Sequence, residues 1–600
     1  MIAVMCGITG SFGKNHKLSQ LETEQQFNLI AHRGPDSRGV LEFEECTLLH
    51  TRLSIQDPEC ASQPMKSRSG RSIIIFNGEI YNFPHLIKEF SLANLFTSSD
   101  TEVVLELVDR FGPDVINAFE GMFAFAIFNK ETKELILARD RFGEKPLFFT
   151  IASETLFFSS SPLAVKNLSR RNLSIGKDEL LHYFKYQYFP EGKTPIEGIT
   201  QVLPGNIMRF KMNLDFSVDE ITPTTSVGDC SFRKVFQKSV NACIVSDVPI
   251  GLSLSGGIDS TITLCEMAKS LDKVQTFTLD GGDSNEDIQF SRRAAELFKS
   301  QHHEIRLKEE QLPELILKVL SDQPLPFGDS SIVLAYALAK YAKSYVKVLI
   351  GGDGADEVLS GYDYYRKYGD SDSESSRLHC EYLRLRLELG ILNSLGRARD
   401  YGWIRRIQEL EFTLKKKSAL ELWYQDIANA EDSDLKALGF PRASITKLSR
   451  RELAPFRGVN SVMAWDQLTY LTGDILWKSD TAGMMASLEV RTPFLNPDLV
   501  KWASKIQFSK ELSKKTLIRG EYNGEIPESF FTRRKRGFGA PIAAWLRIPV
   551  VNDLVNDVVR NRNSRIYDYM DFIEKHKIEN ISPQVKWNVL ALALWLEKNA

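Results

Sequence analysis

The stretch Leu252-Ser253-Leu254-Ser255-Gly256-Gly257-Ile258-Asp259-Ser260 lies between an apolar run of strand length, residues 248–254, and a helical run that begins at Thr261. A serine- and glycine-rich turn between a strand and a helix suits phosphate. Glycine lets the backbone approach a ligand closely, and the first helical turn presents unpaired N–H groups and a partial positive charge. A Walker A loop is excluded because no Gly-Lys-Ser/Thr follows. The stretch predicts an anion-binding loop, and the simpler alternative is an ordinary glycine turn.

The pattern Ser-Gly-Gly-x-Asp-Ser resembles the loop of the PP-loop ATP pyrophosphatases, which split ATP into AMP and pyrophosphate. Strand-like runs at 274–279, 303–307 and 345–350 alternate with helical runs at 261–270, 286–298 and 310–320. Strict alternation predicts a doubly wound parallel sheet, in which ligands bind at the carboxyl ends of the strands. A second loop falls at such an end, Gly351-Gly352-Asp353-Gly354-Ala355-Asp356-Glu357.

Composition narrows the classes of function. A chain of 600 residues predicts two or three domains, and 43% hydrophobic with 26% charged residues is typical of soluble globular proteins. A net charge of −3 lacks the excess of basic residues that is typical of proteins that bind nucleic acid. The 7 cysteines include no C-x-x-C pair, which argues against a disulfide framework or a zinc site. The apolar runs are too short for a bilayer, and residues 1–5 do not resemble a signal peptide. We expect a cytoplasmic protein that binds neither nucleic acid nor membrane.

A cysteine close to the N-terminus, Cys6, directly follows Met5. It has a simple explanation, since buried thiols are common. Alternatively Cys6 is an N-terminal nucleophile, whose free α-amine has a pKa of about 8 and accepts the thiol proton. This chemistry requires either that translation begins at Met5 or that residues 1–5 are cut off as a short leader.

Further clusters follow Cys6, and they are His32-Arg33-Gly34-Pro35-Asp36, Arg52-Leu53-Ser54-Ile55, Phe76-Asn77-Gly78-Glu79-Ile80-Tyr81-Asn82 and Ser99-Asp100-Thr101-Glu102. Together they resemble the glutaminase domain of the class II amidotransferases, from Cys6 to about Leu203. The resemblance implies the αββα sandwich of the N-terminal nucleophile hydrolases, an α+β fold. Strand-like runs at 47–49, 72–76, 124–128 and 134–138, and helical runs at 21–29 and 101–111, agree with it.

The resemblance also implies roles for these residues in glutamine hydrolysis. Cys6 attacks the amide, and Asn77 with the N–H of Gly78 stabilises the oxyanion. Arg52, within the cluster Arg52-Leu53-Ser54-Ile55, binds the α-carboxylate of glutamine in bidentate fashion. Glu79 and Asp100 bind its α-ammonium group. Taken alone, Asn77-Gly78 predicts only a hairpin turn, and we expect a structural role for His32 and Arg33.

The second part of the chain carries more motifs in order, and they are 322–324, 328–331, 474–480, 488–495 and 535–541. With the two glycine-rich loops they resemble the synthetase domain of the glutamine-hydrolysing asparagine synthetase family. The expected organisation is a glutaminase domain at 6–210, a polar linker at 211–231, and a PP-loop synthetase domain with helical additions at 232–600. Residues 370–455 are helical and charged in pattern, and we assign them no chemistry.

This resemblance implies an ATP site and a magnesium site. Leu254 and Leu279 border the adenosine, and Gly351 and Gly352 bring backbone near the nucleotide. Asp353 and Lys535 act in catalysis, with Lys535 neutralising charge in the adenylation transition state. The pyrophosphate is held by Ser255, Gly256, Gly257, Asp259 and Ser260, and the ligands of Mg²⁺ are Asp259 and Asp356. Lys478 and Asp480 lie in a matching motif without an assigned role.

Two departures from the family pattern bear on the acceptor substrate. Asp353 stands where the family commonly has Glu, and Asn496 stands where Asp is usual. The main hypothesis is synthesis of asparagine from aspartate, glutamine and ATP, and the alternative is amidation of another carboxylate, on a sugar acid or a secondary metabolite. A binding protein that has lost catalysis is disfavoured because the motif residues are present, and a tRNA-modifying enzyme is disfavoured by the charge. A homodimer is left open.

Overall fold

The computed structural model describes residues 6–14, 16–52, 61–189, 192–222, 228, 230–280, 285–368, 423, 426–440, 459–506, 508, 513–533, 539–561, 563–570 and 581–600. Four of the predicted site residues lie outside these ranges, namely Leu53, Ser54, Ile55 and Lys535, as does most of the region 370–455. No helix within the described ranges has the length and hydropathy needed to span a bilayer.

Two antiparallel sheets form the first third of the chain. One has the strand order β10-β8-β9-β1-β3-β2 and the other the order β12-β11-β7-β6-β5-β4. Their strands are β1 (Gly7–Gly13), β2 (Ser37–Glu42), β3 (Cys46–Arg52), β4 (Met65–Lys66), β5 (Ser72–Ile80), β6 (Gly121–Asn129), β7 (Glu134–Arg139), β8 (Phe148–Ala152), β9 (Thr155–Ser159), β10 (Thr200–Gln201), β11 (Asn206–Phe210) and β12 (Phe216–Glu220).

Alternation of side chains along the strands builds the layers. On β5, Ile73 and Ile75 join a core cluster with Ile8 and Leu48 of the other sheet. The intervening Ile74 belongs to a separate cluster under the helices Phe83–Glu89 and Asp100–Phe111. The helices Gln20–Ile30 and Pro162–Ser169 pack on the outer face of the first sheet. The predicted αββα sandwich is therefore confirmed, with a layer of helices on the outer face of each sheet.

The polar segment predicted as a linker, residues 211–231, is in part a strand. Residues Phe216–Glu220 form β12 and pair antiparallel with β11, from Asn206 opposite Glu220 to Phe210 opposite Phe216. The side chains of β12 are exposed, and they include the apolar Phe216 and Val218 beside three polar residues. An edge strand with solvent on its outer side has the composition of a linker, and its pairing cannot be read from that composition.

A five-stranded parallel sheet organises the remainder of the chain, in the order β15-β14-β13-β16-β17. Its strands are β13 (Ile250–Ser253), β14 (Gln275–Asp280), β15 (Gln301–Arg306), β16 (Val348–Ile350) and β17 (Glu489–Arg491). The predicted parallel sheet is confirmed, and both glycine-rich loops follow strands at its centre. The described helices around it are Phe232–Cys243, Ile258–Ser270, Asn285–Leu297, Leu312–Asp322, Ser331–Ala342, Ala355–Leu359, Asp432–Ala437, Val459–Leu468, Leu476–Ala486, Pro497–Ser504, Lys514–Tyr522, Glu528–Thr532, Ile542–Trp545, Pro549–Arg560, Ile566–Tyr569 and Pro583–Asn599.

The two parts of the chain share a buried boundary. The helix Lys177–Tyr186 lies within the sequence predicted as the first domain, yet the hydroxyl of Tyr183 donates to the carbonyl of Asn588 at 3.0 Å. Arg33 binds Asp480 in bidentate fashion, at 2.9 and 3.1 Å, and both side chains are buried. Lys145 Nζ lies 3.5 Å from the same carboxylate. The structural role expected for Arg33 is consistent with this position between the two sheet systems.

Candidate active sites

The first candidate site lies between the two antiparallel sheets, at the start of β1. Strand β1 pairs with β3 so that Gly7 lies opposite Thr51, and one further step of this register brings Cys6 opposite Arg52. Ile8 and Leu48 on these strands face the layer between the sheets. Because side chains alternate along a strand, Cys6 and Arg52 share this face. Arg52 is buried and Cys6 is partly exposed.

The predicted oxyanion donors approach from the opposite sheet. Asn77 has the same parity on β5 as Ile75, so its side chain enters the layer between the sheets. The amide is fully buried, and neither Nδ2 nor Oδ1 has a hydrogen-bond partner among the described residues. Gly78 has a φ of 154°, and a Cβ there would overlap the carbonyl oxygen of Met122. A buried amide without a partner is costly, and it marks a place where a ligand group supplies the missing hydrogen bonds.

Two buried carboxylates accompany these donors. Asp100 is the first residue of the helix Asp100–Phe111, and its Oδ2 accepts from the N–H of Ile80 at 2.8 Å. Burial raises the pKa of Asp100 to about 6, and hydrogen bonds from the backbone N–H groups of Ile80 and Thr101 oppose this rise. Burial also raises the pKa of Glu79 well above its usual value, although Arg491 from the second half opposes the shift. Two acidic groups in an enclosed site suit an ammonium group as ligand.

The second candidate site is a cavity of about 890 Å³ at the carboxyl ends of β13 and β16. The loop after β13 turns through Gly256, whose φ is +68° and whose Cα packs against the helix Asn285–Leu297. Only glycine fits there, because the conformation is left-handed and a Cβ would lie 2.6 Å from the N of Ser291. The hydroxyls of Ser255 and Ser260 lie 3.1 Å apart across the turn. The loop is therefore folded as an anion cradle at the N-terminus of the helix Ile258–Ser270.

The predicted magnesium ligands are joined by a lysine that the sequence did not indicate. Lys514 Nζ donates to Oδ2 of Asp259 at 2.8 Å and to Oδ1 of Asp356. The lysine is 3% exposed, and the two carboxylates raise its pKa against the effect of burial. Gly361 makes room for the pair, since a Cβ there would overlap the carboxylate of Asp356. Oδ1 of Asp259 is buried and has no hydrogen-bond partner among the described residues.

These two carboxylates fit Mg²⁺ when nucleotide is present. Magnesium in nucleotide sites commonly takes one or two protein carboxylates and completes its shell with phosphate oxygens and water. Within the described part of the chain, no cluster of three or more His, Cys, Asp or Glu side chains is placed to hold a metal ion. Asp259 and Asp356 are thus the carboxylates that could hold the ion, and Oδ1 of Asp259 has no hydrogen-bond partner among the described residues.

The loop Gly351–Glu357, which the sequence predicts to bind nucleotide and which we call the nucleotide loop, also presents the acidic side chain of Asp353 to the cavity. Its Oδ2 accepts from the hydroxyl of Ser479 at 2.5 Å, and burial raises its pKa. Asp353 has a shorter side chain than the glutamate of the family pattern. A hydrogen bond from the helix Leu476–Ala486 holds its carboxylate in position.

A lysine and two aspartates form a further cluster on the wall of the same cavity. Lys478 Nζ lies 2.6 Å from Oδ2 of Asp329 and 3.5 Å from Oδ1 of Asp474. Burial raises the pKa of Asp474 well above its usual value, whereas Lys478 and Ser331 hold the pKa of Asp329 below its usual value despite burial. The cluster can meet both a negative and a positive group of one small molecule.

Comparisons with known proteins agree with this geometry. A family model described as asparagine synthase matches residues 231–597, and one described as glutamine amidotransferase domain matches residues 5–217. Glutamine-hydrolyzing asparagine synthetase 1 of Bacillus subtilis (strain 168) is 30% identical, over 98% of this chain and 96% of that protein. The chain belongs to the asparagine synthase family.

Two further comparisons have lower sequence identity. Glutamine-hydrolyzing asparagine synthetase 3 of the same bacterium is 26% identical to this family member, over 88% of this chain and 86% of that protein. Among solved structures, a glutamine phosphoribosylpyrophosphate amidotransferase from B. subtilis is 15% identical over 50% of this chain and 81% of that chain. The TM-score of this match is 0.28.

Most of the predicted nucleotide residues of this asparagine synthase family member line the cavity. They are Ser255, Gly257, Asp259, Ser260, Gly351, Gly352, Asp353 and Asp356. Leu254 and Leu279 are buried, and neither they nor Gly256 is among the residues lining the cavity. Their contact with nucleotide stays a prediction.

Arg533, a basic residue two positions before the motif 535–541, contacts the loop Ser255–Ser260. Arg533 Nη1 donates to the carbonyl oxygen of Gly256 at 2.8 Å, and its guanidinium also pairs with Asp287. It lines the cavity together with Lys514 and Lys515. Sequence reasoning missed the role of Lys514, whose partners come from distant parts of the chain.

Asn496, the second departure from the family pattern, lies at the boundary between the two halves, and its bearing on the acceptor stays a prediction. Asn496 caps the helix Pro497–Ser504 by accepting from the N–H of Asp498 at 2.9 Å. Its Nδ2 lies 3.4 Å from Oε2 of Glu120, and Asn496 is not among the residues lining the cavity. An aspartate at this position would oppose Glu120, so the amide is explained by the boundary between the halves.

Proposed function

We propose that this chain is a glutamine-hydrolysing asparagine synthetase that converts aspartate, glutamine and ATP into asparagine, glutamate, AMP and pyrophosphate. Cys6 releases ammonia from glutamine at the first site. The second site activates the β-carboxylate of aspartate as its adenylate, which ammonia then attacks. The observation that supports this best is one cavity that combines an anion cradle, the carboxylates of Asp259 and Asp356, which suit a cation, and a separate charged cluster.

Glutamine hydrolysis needs a thiolate, a place for the oxyanion and a way to hold an amino acid. Cys6 and Arg52 lie side by side on one face, and the buried amide of Asn77 faces them without a partner among the described residues. We assign Asn77 and the N–H of Gly78 to the oxyanion, Arg52 to the α-carboxylate, and Asp100 with Glu79 to the ammonium group. When the chain begins at Cys6, the terminal amine accepts the thiol proton and later returns it to the leaving ammonia.

Adenylation needs cations around the triphosphate because four negative charges approach a carboxylate. Lys514, Lys515 and Arg533 line the cavity beside the loop at Ser255–Ser260. We propose that Asp259 and Asp356 hold Mg²⁺ with the nucleotide, and that Lys514 then turns from these carboxylates toward the phosphates. Magnesium would supply charge neutralisation of the pyrophosphate leaving group. Lys535 lies outside the described residues, and its role in the same transition state stays a proposal.

The cluster at Lys478 favours an amino acid as acceptor. Lys478 suits the α-carboxylate of aspartate, and Asp329 with Asp474 suits its α-ammonium group. A sugar acid has no ammonium group and would leave two buried aspartates facing one lysine. Asp353 accepts a hydrogen bond from Ser479 and lines the same cavity, and we assign it a role toward the attacking ammonia or the adenylate.

The test is release of pyrophosphate by enzyme supplied with ATP, ammonia and one carboxylate at a time. Aspartate should give one AMP, one pyrophosphate and one asparagine, and carboxylates without an α-ammonium group, such as succinate and glucuronate, should give none. Asp329→Asn should raise the KM for aspartate about tenfold or more with a smaller change in the KM for ATP. Turnover of a sugar acid in place of aspartate would replace this proposal with the alternative acceptor.

The organisation of the chain is proposed on the same basis. The glutaminase part runs from Cys6 through β12, so the division from the synthetase part falls after Glu220 and before the helix Phe232–Cys243. Cytoplasmic location and a homodimer are further proposals, and sedimentation of the purified enzyme tests the second.

A further inference from the structure

Arg491 lies where the two halves of the chain meet, at the end of β17. Its side chain is fully buried, and its Nε donates to Oε1 of Glu489 at 2.6 Å. Nη1 donates to the carbonyl oxygens of Cys243 and Val245 at 2.9 and 2.7 Å. The remaining nitrogen, Nη2, lies 3.3 Å from Oε1 of Glu79 in the first half. Three nitrogens of the guanidinium thus contact groups from three separate segments.

The contact between Arg491 and Glu79 is an ion pair without an aligned hydrogen bond. Nη2 has no hydrogen-bond partner among the described residues although the carboxylate oxygen is near. Glu489 binds the same guanidinium at shorter range, so two buried carboxylates compete for one cation. A small displacement of β17 would lengthen one contact and shorten the other, which makes the Glu79 contact sensitive to the position of this strand.

The backbone of Arg491 also holds the nucleotide loop. Ile350, the last residue of β16, pairs with Arg491, and the N–H of Gly351 donates to the carbonyl oxygen of Arg491 at 2.8 Å. Val490, one residue earlier, lines the nucleotide cavity. A change in the loop Gly351–Asp353 on binding ATP and the acceptor therefore acts directly on the residue whose side chain faces Glu79.

Glu79 is joined in turn to the oxyanion donors. It is two residues from Asn77 and one from Gly78 on the same strand, and its side chain shares the face of Asn77. This part of β5 pairs with β6, from Asn77 opposite Ala124 to Glu79 opposite Met122. A movement of Glu79 toward Arg491 would therefore also shift the part of β5 that presents the amide of Asn77 and the N–H of Gly78.

We propose that Arg491 is a positioning residue that adjusts the oxyanion donors of the glutaminase site to the state of the nucleotide loop. This inference rests on the proposed function. Occupation of the synthetase site by ATP and aspartate draws the guanidinium toward Glu79 and aligns Asn77 and Gly78 for attack by Cys6. Glutamine is then hydrolysed faster when an acceptor for ammonia is present.

The experiment measures glutamate release at several glutamine concentrations, with and without saturating ATP and aspartate. In the unmodified enzyme kcat/KM should rise about fivefold or more with both ligands. Arg491→Lys keeps the positive charge and loses the planar guanidinium with its several N–H donors. In this variant the rise in kcat/KM on adding ATP and aspartate should be below about twofold. The difference from the unmodified enzyme should appear in kcat and not in KM. Asparagine formation from ammonia should continue, since the backbone contact to Gly351 remains.

A matched control is Arg139→Lys, an equally buried arginine whose guanidinium donates to the carbonyls of Lys145 and Gly143 within the first half. Its response to ATP and aspartate should stay at the level of the unmodified enzyme, even where thermal stability falls. Should Arg491→Lys fail to fold, Glu489→Gln removes the competing carboxylate. Glutamate release without nucleotide should then rise, and a fall or no change in Glu489→Gln would contradict the proposal.

Two outcomes separate the possible failures. If the unmodified enzyme makes no asparagine from ammonia, the proposed function fails. If it makes asparagine but releases glutamate at a rate indifferent to ATP and aspartate, or if Arg491→Lys keeps the full response, the role of Arg491 alone is overturned.

Discussion

In the first site the amide of Asn77 is buried and no described residue bonds to it, whereas in the second site Lys514 already joins Asp259 to Asp356. The predicted oxyanion donor of the first site thus has no bond to a described residue, whereas the predicted magnesium ligands of the second site share a lysine. In the first site the amide of Asn77, which we propose as an oxyanion donor, has no bond to a described residue that would have to break before glutamine enters. The synthetase site holds internal ion pairs that must be exchanged for the charges of ATP and its acceptor. We expect substitutions in the first site to affect rate most, and substitutions in the second to affect stability and ligand binding together.

The largest effect is expected from the nucleophile. Cys6→Ala, in protein that begins at residue 6, should lower glutamine-dependent asparagine formation by more than about 10³-fold, because the variant lacks the thiol that we propose as the nucleophile. Ammonia-dependent formation should persist. Parallel assays with each nitrogen source, with intact mass to confirm the first residue, provide the measurement, and loss of both activities would contradict the separation of the sites.

Asn77→Ala should lower kcat for glutamate release by about 10² to 10³-fold, the usual cost of one oxyanion donor. The same change should leave the free energy of unfolding unchanged or higher, because it removes a buried amide without hydrogen bonds. Chemical denaturation checks this unusual combination.

Asn82→Ala is the control, since this amide binds Ala118 and Glu120. It should lose stability and keep the rate. A large loss of stability in Asn77→Ala would show that Asn77 is structural and not an oxyanion donor.

Lys514→Met should destabilise the enzyme in EDTA by about 3 kcal/mol, because two buried carboxylates lose their shared cation. Magnesium should restore most of that loss in the variant, since the ion no longer competes with Nζ for Asp259 and Asp356. Thermal unfolding with and without Mg²⁺ gives the measurement.

Arg519→Met removes a half-exposed ion pair on the same helix and should change stability by less than about 1 kcal/mol, with no response to magnesium. An equal response in both variants would remove Asp259 and Asp356 from the magnesium site.

The smallest predicted effect is a dependence of glutamine binding on pH. The pKa of Asp100 is raised to about 6 by burial, so the carboxylate is ionised above that pH and protonated below it. The KM for glutamine in glutamate release should therefore rise about tenfold from pH 8 to pH 5. Glutaramate, which lacks the ammonium group, should inhibit with little change over this range, and Asp100→Asn should remove the dependence. A glutamine KM that is constant with pH would place the ammonium group elsewhere.

Local patterns predicted a large part of this structure. The Ser255–Ser260 loop and the helix Asp100–Phe111 are set by neighbouring glycine, serine and apolar residues, and the structure has both where the sequence indicated. Lys514 could not be found this way, because its partners are 255 and 158 residues away. Strand β17 was missed for a related reason. Its charged residues, Glu489 and Arg491, indicate exposure by themselves, whereas in the fold they are buried against each other.

The central claim is that nitrogen released by Cys6 is used by a separate adenylating centre in the same chain. Glutamine labelled with ¹⁵N in its amide, supplied with aspartate, ATP and an excess of unlabelled ammonium, tests this most directly. Mass spectrometry of the product should show ¹⁵N in the asparagine amide and one AMP for each asparagine. Asparagine that carries the unlabelled nitrogen of the solution, or ADP in place of AMP, would contradict the claim.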